Sequence, residues 1–249
     1  IRTVFQCEMQ LLSPVHIGNG ERYVNNFDFI CEGNRGKIFD HKRLFTMVER
    51  LNRDQIASFT TAMEESSLAS WLKSNDVSIN EALVHSFNWT GTSPPNDINR
   101  QIRDGFGRPL IPGSSLKGAF RTAILSELAN NEPTNLIENV LESLRKKHKV
   151  QSKFADNSLT SSLLGKNANV NLMRSLTVTD FSFAPEDAQI QPAYVTRLVN
   201  DKHFKRKKWN IWVEKLNQGA VATGQVAFDD YLMSQAKGGD AFHFKVDLT

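Results

Sequence analysis

Long apolar runs are missing from this sequence. No stretch approaches the roughly 18 consecutive apolar residues that a membrane-spanning helix requires. Nothing at the start resembles a signal peptide, and because the chain begins at Ile1 rather than methionine, a trimmed N-terminus is expected. Cysteine is scarce: Cys7 and Cys31 are the two, far apart and outside any CxxC pattern. That argues against a disulfide framework and against thiolate zinc binding. The six histidines form no HxxxH or HExxH spacing, so no metal is indicated and no cofactor is expected. Low-complexity tracts and internal repeats are absent too, which argues against linkers and solenoids. Charge of one sign is not in excess, since 30 basic residues face 27 acidic ones for a net charge of +3. These absences leave a globular protein in a reducing, cytoplasmic setting.

What is present is local. "HFKRKKW" (His203 to Trp209) puts four consecutive cations between aromatics, and "LRKKHK" (Leu144 to Lys149) ends an apparent helix with a second basic cluster. A solvated loop or a dipole-favoured helix C-terminus accounts for each of these singly.

Residues 1–12, "IRTVFQCEMQLL", alternate with period two and read as a half-buried strand carrying Phe5, Cys7, Met9 and Leu11 on one face. "SPVHIGNGER" reads as a loop. "YVNNFDFICEGNRGKIFD" reads as two strands about a turn at Glu32 to Gly36. From Asp40, a plausible N-cap, helical spacing runs through "DHKRLFTMVERL", "DQIASFTTAMEE" and "SSLASWLKS". A further helix is expected at "PTNLIENVLESLRKKHK", a strand at "LMRSLTVTDFSF", and a final strand at "AFHFKVDL". "WNIWVEKLNQGAVATGQVAFD" reads as a hairpin with its turn at Asn217 to Gly219. Strands separated by helices predict an α+β fold of the β-α-β-β-α-β kind, ferredoxin-like, whose sheet leaves one face free for a ligand.

The most informative stretch is "GFGRPLIPGSSLKGAFRTAILSEL", residues 105–128. Pro112-Gly113 sets a turn, and Gly113 would let a backbone approach a ligand without a Cβ between them. Ser114 or Ser115 is expected to cap a helix whose uncovered amides would favour an anion. Leu116, Phe120, Ala123 and Ile124 are expected to form its packing stripe. Lys117 and Arg121, one turn apart, share a face, and Gly118 costs about 1 kcal/mol relative to alanine. Hydroxyls, amides and two cations around a glycine turn suit a phosphodiester backbone, held without base reading. The spacing is not a Walker A loop, and Gly18-Asn19-Gly20 is a bare GxG.

"IPGSSLKGAFRTAIL" resembles, nearly letter for letter, the signature of the RAMP superfamily of CRISPR-associated proteins. "LLSPVHIGNGE" resembles that superfamily's first-strand motif, and "LMRSLTVTDFSF" the strand after the helical region in one branch. The order of motifs is most similar to the terminal backbone subunit of type III-A (Csm) effector complexes. The resemblance implies a single RAMP domain over 1–249 with an RRM-like, Cas7-type core, a helical insertion at 40–100 and a mainly β part at 171–249. It implies a non-catalytic subunit that holds CRISPR RNA near the 3′ end of the guide and supports 3′-end maturation. Its partners would be the repeated RAMP backbone subunit, the small helical subunit, target RNA and a recruited cellular nuclease. By position, Gly113, Ser114, Ser115, Lys117, Gly118 and Arg121 would contact the guide backbone, and His16, Gly18 and Gly20 would lie in the loop facing it. Arg100, Arg103, Arg108 and Arg174 are further candidate RNA contacts.

Two alternatives remain open. The resemblance also implies how an endoribonuclease would work: with His16 as acid or base and Lys117 stabilising phosphate charge, or with a loop aspartate, for which Asp104 and Asp28, the latter in an expected strand, are the nearest candidates. An adaptor would present Trp71, Phe87 and Trp89 to a neighbouring subunit, where the competing reading places these aromatics in the core.

Overall fold

The alternation at the N-terminus does produce a strand, β1 (Arg2–Gln10), with Cys7 and Met9 on its half-buried side. It is the first element of a computed structural model that describes residues 2–89, 93–131, 138, 141, 142, 145, 160, 161, 163–165, 171–199 and 203–232. The expected helix at 133–149 and the final strand at 241–248 lie, wholly or largely, outside the described residues.

The chain divides into two compact units, each built from separated segments: Ile1–Met9 with Leu110–Ser182 and Val221–Thr249, and Gln10–Pro109 with Phe183–Ala220. In the first, β8 (Leu176–Val178) and β1 flank β12 (Val221–Asp229) in a three-stranded sheet. A short ladder joins β7 (Leu110–Ile111) to β9 (Phe181–Ser182). Helix α4 (Gly113–Asn131) packs there through Leu125, with Ile124, Leu128 and Ala129, against Leu163, Leu164, Leu172, Met173 and Leu176. The expected stripe is therefore displaced around the helix: Phe120 is 40% exposed and Ala123 is exposed. The partners that set this face come from residues 163–176, about forty positions away.

The second unit holds the three expected helices. They are α1 (His41–Val48), capped by Asp40 accepting from the Arg43 amide, α2 (Arg53–Glu64), closed by an Asn52/Gln55 capping box, and α3 (Leu68–Ser74). Each such cap stabilises by about 1 kcal/mol. Their apolar faces bury Leu44, Val48, Phe59, Leu68, Trp71 and Leu72 with Ile30 and Phe39 of the strands, at about 1.5–3 kcal/mol per side chain. Strands β3 (Phe29–Glu32), β4 (Arg35–Phe39) and β5 (Leu83–Asn88) form one antiparallel sheet, with the expected turn after Glu32. Trp71, Phe87 and Trp89 are 7%, 5% and 8% exposed, so they are core and not an adaptor surface.

The other sheet of this unit runs β10 (Ala188–Val199), β11 (His203–Leu216), β6 (Asp97–Gln101), β2 (Gly18–Val24). Two expectations fail here. The segment read as a loop after β1 becomes β2 from Gly18 onward, paired irregularly with β6. The turn at Asn217 to Gly219 forms, with Gly219 at φ +86°, but it does not close a hairpin. Both edges of β11 are already occupied, by β10 and β6. The turn's own amides are also committed, Asn217 to the Asp187 carbonyl and Gly219 to that of Leu11. The chain accordingly leaves one sheet and enters another.

Candidate nucleic-acid interface

The start of α4 is built differently from the expectation drawn from its serines. Ser115 and Leu116 donate their amides to the Pro112 carbonyl, so Pro112 occupies the cap position and the serines stand inside the first turn. The Gly113 amide goes to Asp180 Oδ1 at 2.8 Å. Asp180, in the "TVTDFSF" segment, was not singled out from sequence, since nothing local marks an aspartate as the cap of a helix 67 residues away. Its carboxylate takes the place expected of an anion at the helix dipole.

Gly113 is buried, and a Cβ there would lie 2.1 Å from the Val178 carbonyl oxygen. Its lack of a side chain serves contact with the protein's own backbone, not the approach of a ligand. Gly118 is the opposite case: it is exposed, and a Cβ on it would meet nothing within 4 Å. The absence of a side chain leaves a shallow, open step between Lys117 and Arg121.

Ser114, Lys117, Gly118 and Arg121 follow at i, i+3, i+4 and i+7 and so share one face of α4. Ser114 and Ser115 are exposed, while Lys117 and Arg121 are half-buried. Among the described residues, Lys117 has no hydrogen bond or ion pair with another side chain. Arg121 donates from Nη2 to Thr160 Oγ1 at 2.7 Å, which fixes the guanidinium along the helix. Arg174 is exposed on a 3-10 turn, Leu172–Ser175, in the same unit.

The remaining candidates stand in the other unit. His16 donates from Nδ1 to the Glu214 carbonyl at 2.6 Å, leaving Nε2 beside Gly18. Gly20 adopts φ +87° within the irregular part of β2, a backbone requirement of the strand itself. Arg103 pairs with the buried Glu214 carboxylate and also donates to the Gly107 carbonyl. Glu214 further accepts the Gln101 amide at 3.0 Å, and the buried Gln101 side chain accepts the Ile17 amide at 2.9 Å. Breaking a buried pair of this kind costs about 3–5 kcal/mol, so Arg103 is committed to the fold. Arg100 pairs with Glu21 at 2.8 Å and lies 4.7 Å from the Tyr23 ring centroid; Arg108 pairs with Asp104 at 2.8 Å. Each of these pairs has one exposed member, Glu21 and Arg108, and such pairs are worth about 0–1 kcal/mol, small enough for a phosphate to exchange with them. Burial pushes the Tyr23 phenol above its usual pKa, with the Glu214 charge adding to the effect against Arg100 and Arg103.

Sequence reading also missed β10 and, with it, an arm. The outer halves of β10 and β11 pair Thr196 with Arg206, Arg197 with Lys205 and Leu198 with Phe204. Tyr194 is 50% and Phe204 76% exposed, and the Arg206 guanidinium sits 3.3 Å from the Tyr194 ring centroid. The signal was present in "HFKRKKW", whose cations belong to a strand and not to a loop. Among the described residues no group of three or more His, Cys, Asp or Glu could hold a metal ion.

A family model described as the RAMP superfamily matches residues 8–246, and the chain belongs to that superfamily. Within it, the chain is similar to proteins named Csm5. It is 33% identical over 144 residues to CRISPR system Cms protein Csm5 of Streptococcus thermophilus, a match covering 51% of this chain and 40% of that protein. It is 21% identical over 254 residues to the Csm5 of Enterococcus italicus, covering 85% of this chain and 68% of that one. The chain thus spans 40% of the length of the first of these relatives. Its fold is shared with the crystal structure of T.onnurineus Csm5, at a TM-score of 0.70 and 19% identity over 93% of this chain and 70% of that one. It is also shared with a chain from the cryo-EM structure of a Csm–crRNA–target RNA ternary complex of a type III-A CRISPR-Cas system. There the TM-score is 0.68 at 19% identity, over 94% of this chain and 66% of that one.

Proposed function

We propose that this chain is a non-catalytic, cytoplasmic RNA-binding subunit of a type III-A CRISPR effector ribonucleoprotein. It holds the CRISPR RNA backbone near the 3′ end of the guide and supports 3′-end maturation and RNA-targeting interference. In this reading both units form one RAMP domain with a ferredoxin-like core, residues 40–100 being a helical insertion. Its partners are the CRISPR RNA, target RNA, the repeated RAMP backbone subunit and the small helical subunit, with a cellular nuclease recruited by the assembly. The observation that carries this is the face of α4: the exposed Ser114 hydroxyl, a lysine unengaged among the described residues, an open glycine step and an arginine fixed by Thr160. Such a face offers donors and positive charge to phosphate oxygens. Arg100, Arg108 and the cations of the β10–β11 arm supply further exchangeable contacts. The names of the similar proteins, and the RNA named in the ternary complex, support the same class.

The ribonuclease alternative finds less support. His16 is held by a backbone carbonyl, Asp104 is engaged by Arg108, and Asp28 faces His41.

The test is RNA binding by fluorescence anisotropy across a salt series, for wild type and Lys117→Ala, with RNA integrity read on a gel. Binding that falls with salt, a smaller salt dependence in the variant by about one counterion, and intact RNA are expected. Equal binding by both proteins would remove the α4 face from the interface. Shortened RNA would bring the ribonuclease reading forward.

A further inference from the structure

The second unit contains a cleft of about 540 Å³ that shares Arg100 with the reading above but whose two histidines take no part in it. Ile38, Phe39 and Val84 give it apolar walls, and His41, His85 and Arg100 line it with polar groups. All three polar groups keep hydrogen-bonding capacity that the described residues do not fill. Among the described residues the His85 side chain has no hydrogen-bond partner, and Arg100 Nε is buried without one. His41 uses Nε2 alone, 2.9 Å from Asp28 Oδ1. The other Asp28 oxygen accepts the Val24 amide at 2.7 Å, so the dyad is fixed from behind. With Nε2 engaged by the carboxylate, Nδ1 is the ring nitrogen of His41 that remains for a ligand. Burial lowers the pKa of His85, with Arg103 also lowering it against the opposing charge of Glu214. Near neutral pH His85 is therefore an uncharged ring with one donor and one acceptor.

The charges of the cleft balance. Lys42, Arg100 and Arg103 face Asp28, Asp40 and Glu214, so a bare anion meets as much repulsion as attraction. The unfilled positions instead ask for a flat, neutral group with donors and acceptors along one edge. Two exposed phenylalanines stand beside His41, Phe27 at 4.9 Å and Phe45 at 5.8 Å between ring centroids. Both lie outside the cleft's lining, where they offer faces to a neighbouring base of the same strand. A cavity with apolar walls and a few placed polar groups is also the usual form of a small-ligand site.

We propose that this cleft receives one unpaired nucleobase with its ribose, contributed by single-stranded RNA. The RNA source rests on the function proposed above; a free nucleotide carries the same chemistry, and the experiment separates the two. The imidazole Cε1–H resonances of the full chain are followed by NMR, assigned with His41→Gln and His85→Gln. Titrants are the four nucleoside 5′-monophosphates, the four homotetranucleotides and inorganic phosphate.

Saturable shifts of His41 and His85 with at least one tetranucleotide, and none with phosphate, are expected. His85→Gln should weaken that titration about fivefold to tenfold, the equivalent of one hydrogen bond. Equal shifts with inorganic phosphate would overturn the base assignment. Shifts with monophosphates and none with tetranucleotides would overturn the RNA source. No shift with any titrant, in protein that binds RNA by anisotropy, would overturn the inference while leaving the proposed function standing. Shifts in protein whose RNA affinity ignores Lys117 would do the reverse.

Discussion

The cations of the α4 face and those around Glu214 look alike in sequence and differ in what already holds them. Arg103 is tied to a buried carboxylate, which in turn takes the Gln101 amide, so its charge organises the fold. Lys117 stands half-buried on an exposed helical face with no side-chain partner among the described residues. A basic residue near a motif is thus weak evidence of a ligand until its own counter-charge is known. Arg100 and Arg108 fall between the two extremes, in pairs exposed enough to be exchanged.

The comparison can be broken most forcefully at Glu214. Glu214→Ala strands Arg103 and the Gln101 amide, and a loss of about 3–5 kcal/mol is expected in urea denaturation. A loss under 1 kcal/mol would place Arg103 among the exchangeable cations. Gly113→Ala drives a methyl into the Val178 carbonyl and the Thr179 backbone. It should destabilise by about 3 kcal/mol or more, read as a lowered thermal midpoint before any RNA is added. Lys117→Ala should change stability by less than about 0.5 kcal/mol while weakening RNA binding, the mirror image of Glu214→Ala.

The smallest effect is one of pH. His85 titrates below its ordinary value of 6.5 because it is buried. The unfolded chain therefore binds the proton more readily, and stability is fully present above pH 6.5 and falls as pH drops toward the folded-state pKa. Urea midpoints of His85→Gln should show a flatter acid limb than wild type over that window; parallel limbs would contradict the assignment.

Elements whose signals are local were legible in the sequence. The Asp40 cap, the three helices after it and the turn following Glu32 form as read, and β1 forms with Cys7 and Met9 on its half-buried face, although Phe5 is exposed and Leu11 lies past its end. What failed depended on partners remote in sequence. The strands around Asn217 to Gly219 read as a hairpin because nothing local shows that β11 already has a neighbour on each edge. The face on which α4 packs was misjudged because it is chosen by residues 163–176. At the candidate site, the Lys117 and Arg121 face was visible from spacing alone. The reasons for its glycines were not: Gly113 serves a backbone contact with Val178 and Thr179, and Gly118 faces open space.

The uncoupled turn at Asn217 to Gly219 bears on how the molecule is made. β12 lies between β1 and β8 in its sheet, yet it follows both in the chain. On a ribosome, which releases the chain from its N-terminal end, β1 and β8 emerge with a vacancy between them that stays open until β12 appears. All segments of the second unit, ending at Ala220, have by then been synthesised. One unit can thus be complete while the other still shows two unpaired strand edges, and closing that sheet requires contacts far apart in the chain, the slow kind. The interval between the emergence of Ala220 and that of Asp229 is when the nascent chain is most exposed to edge-to-edge association, and when a chaperone would matter most.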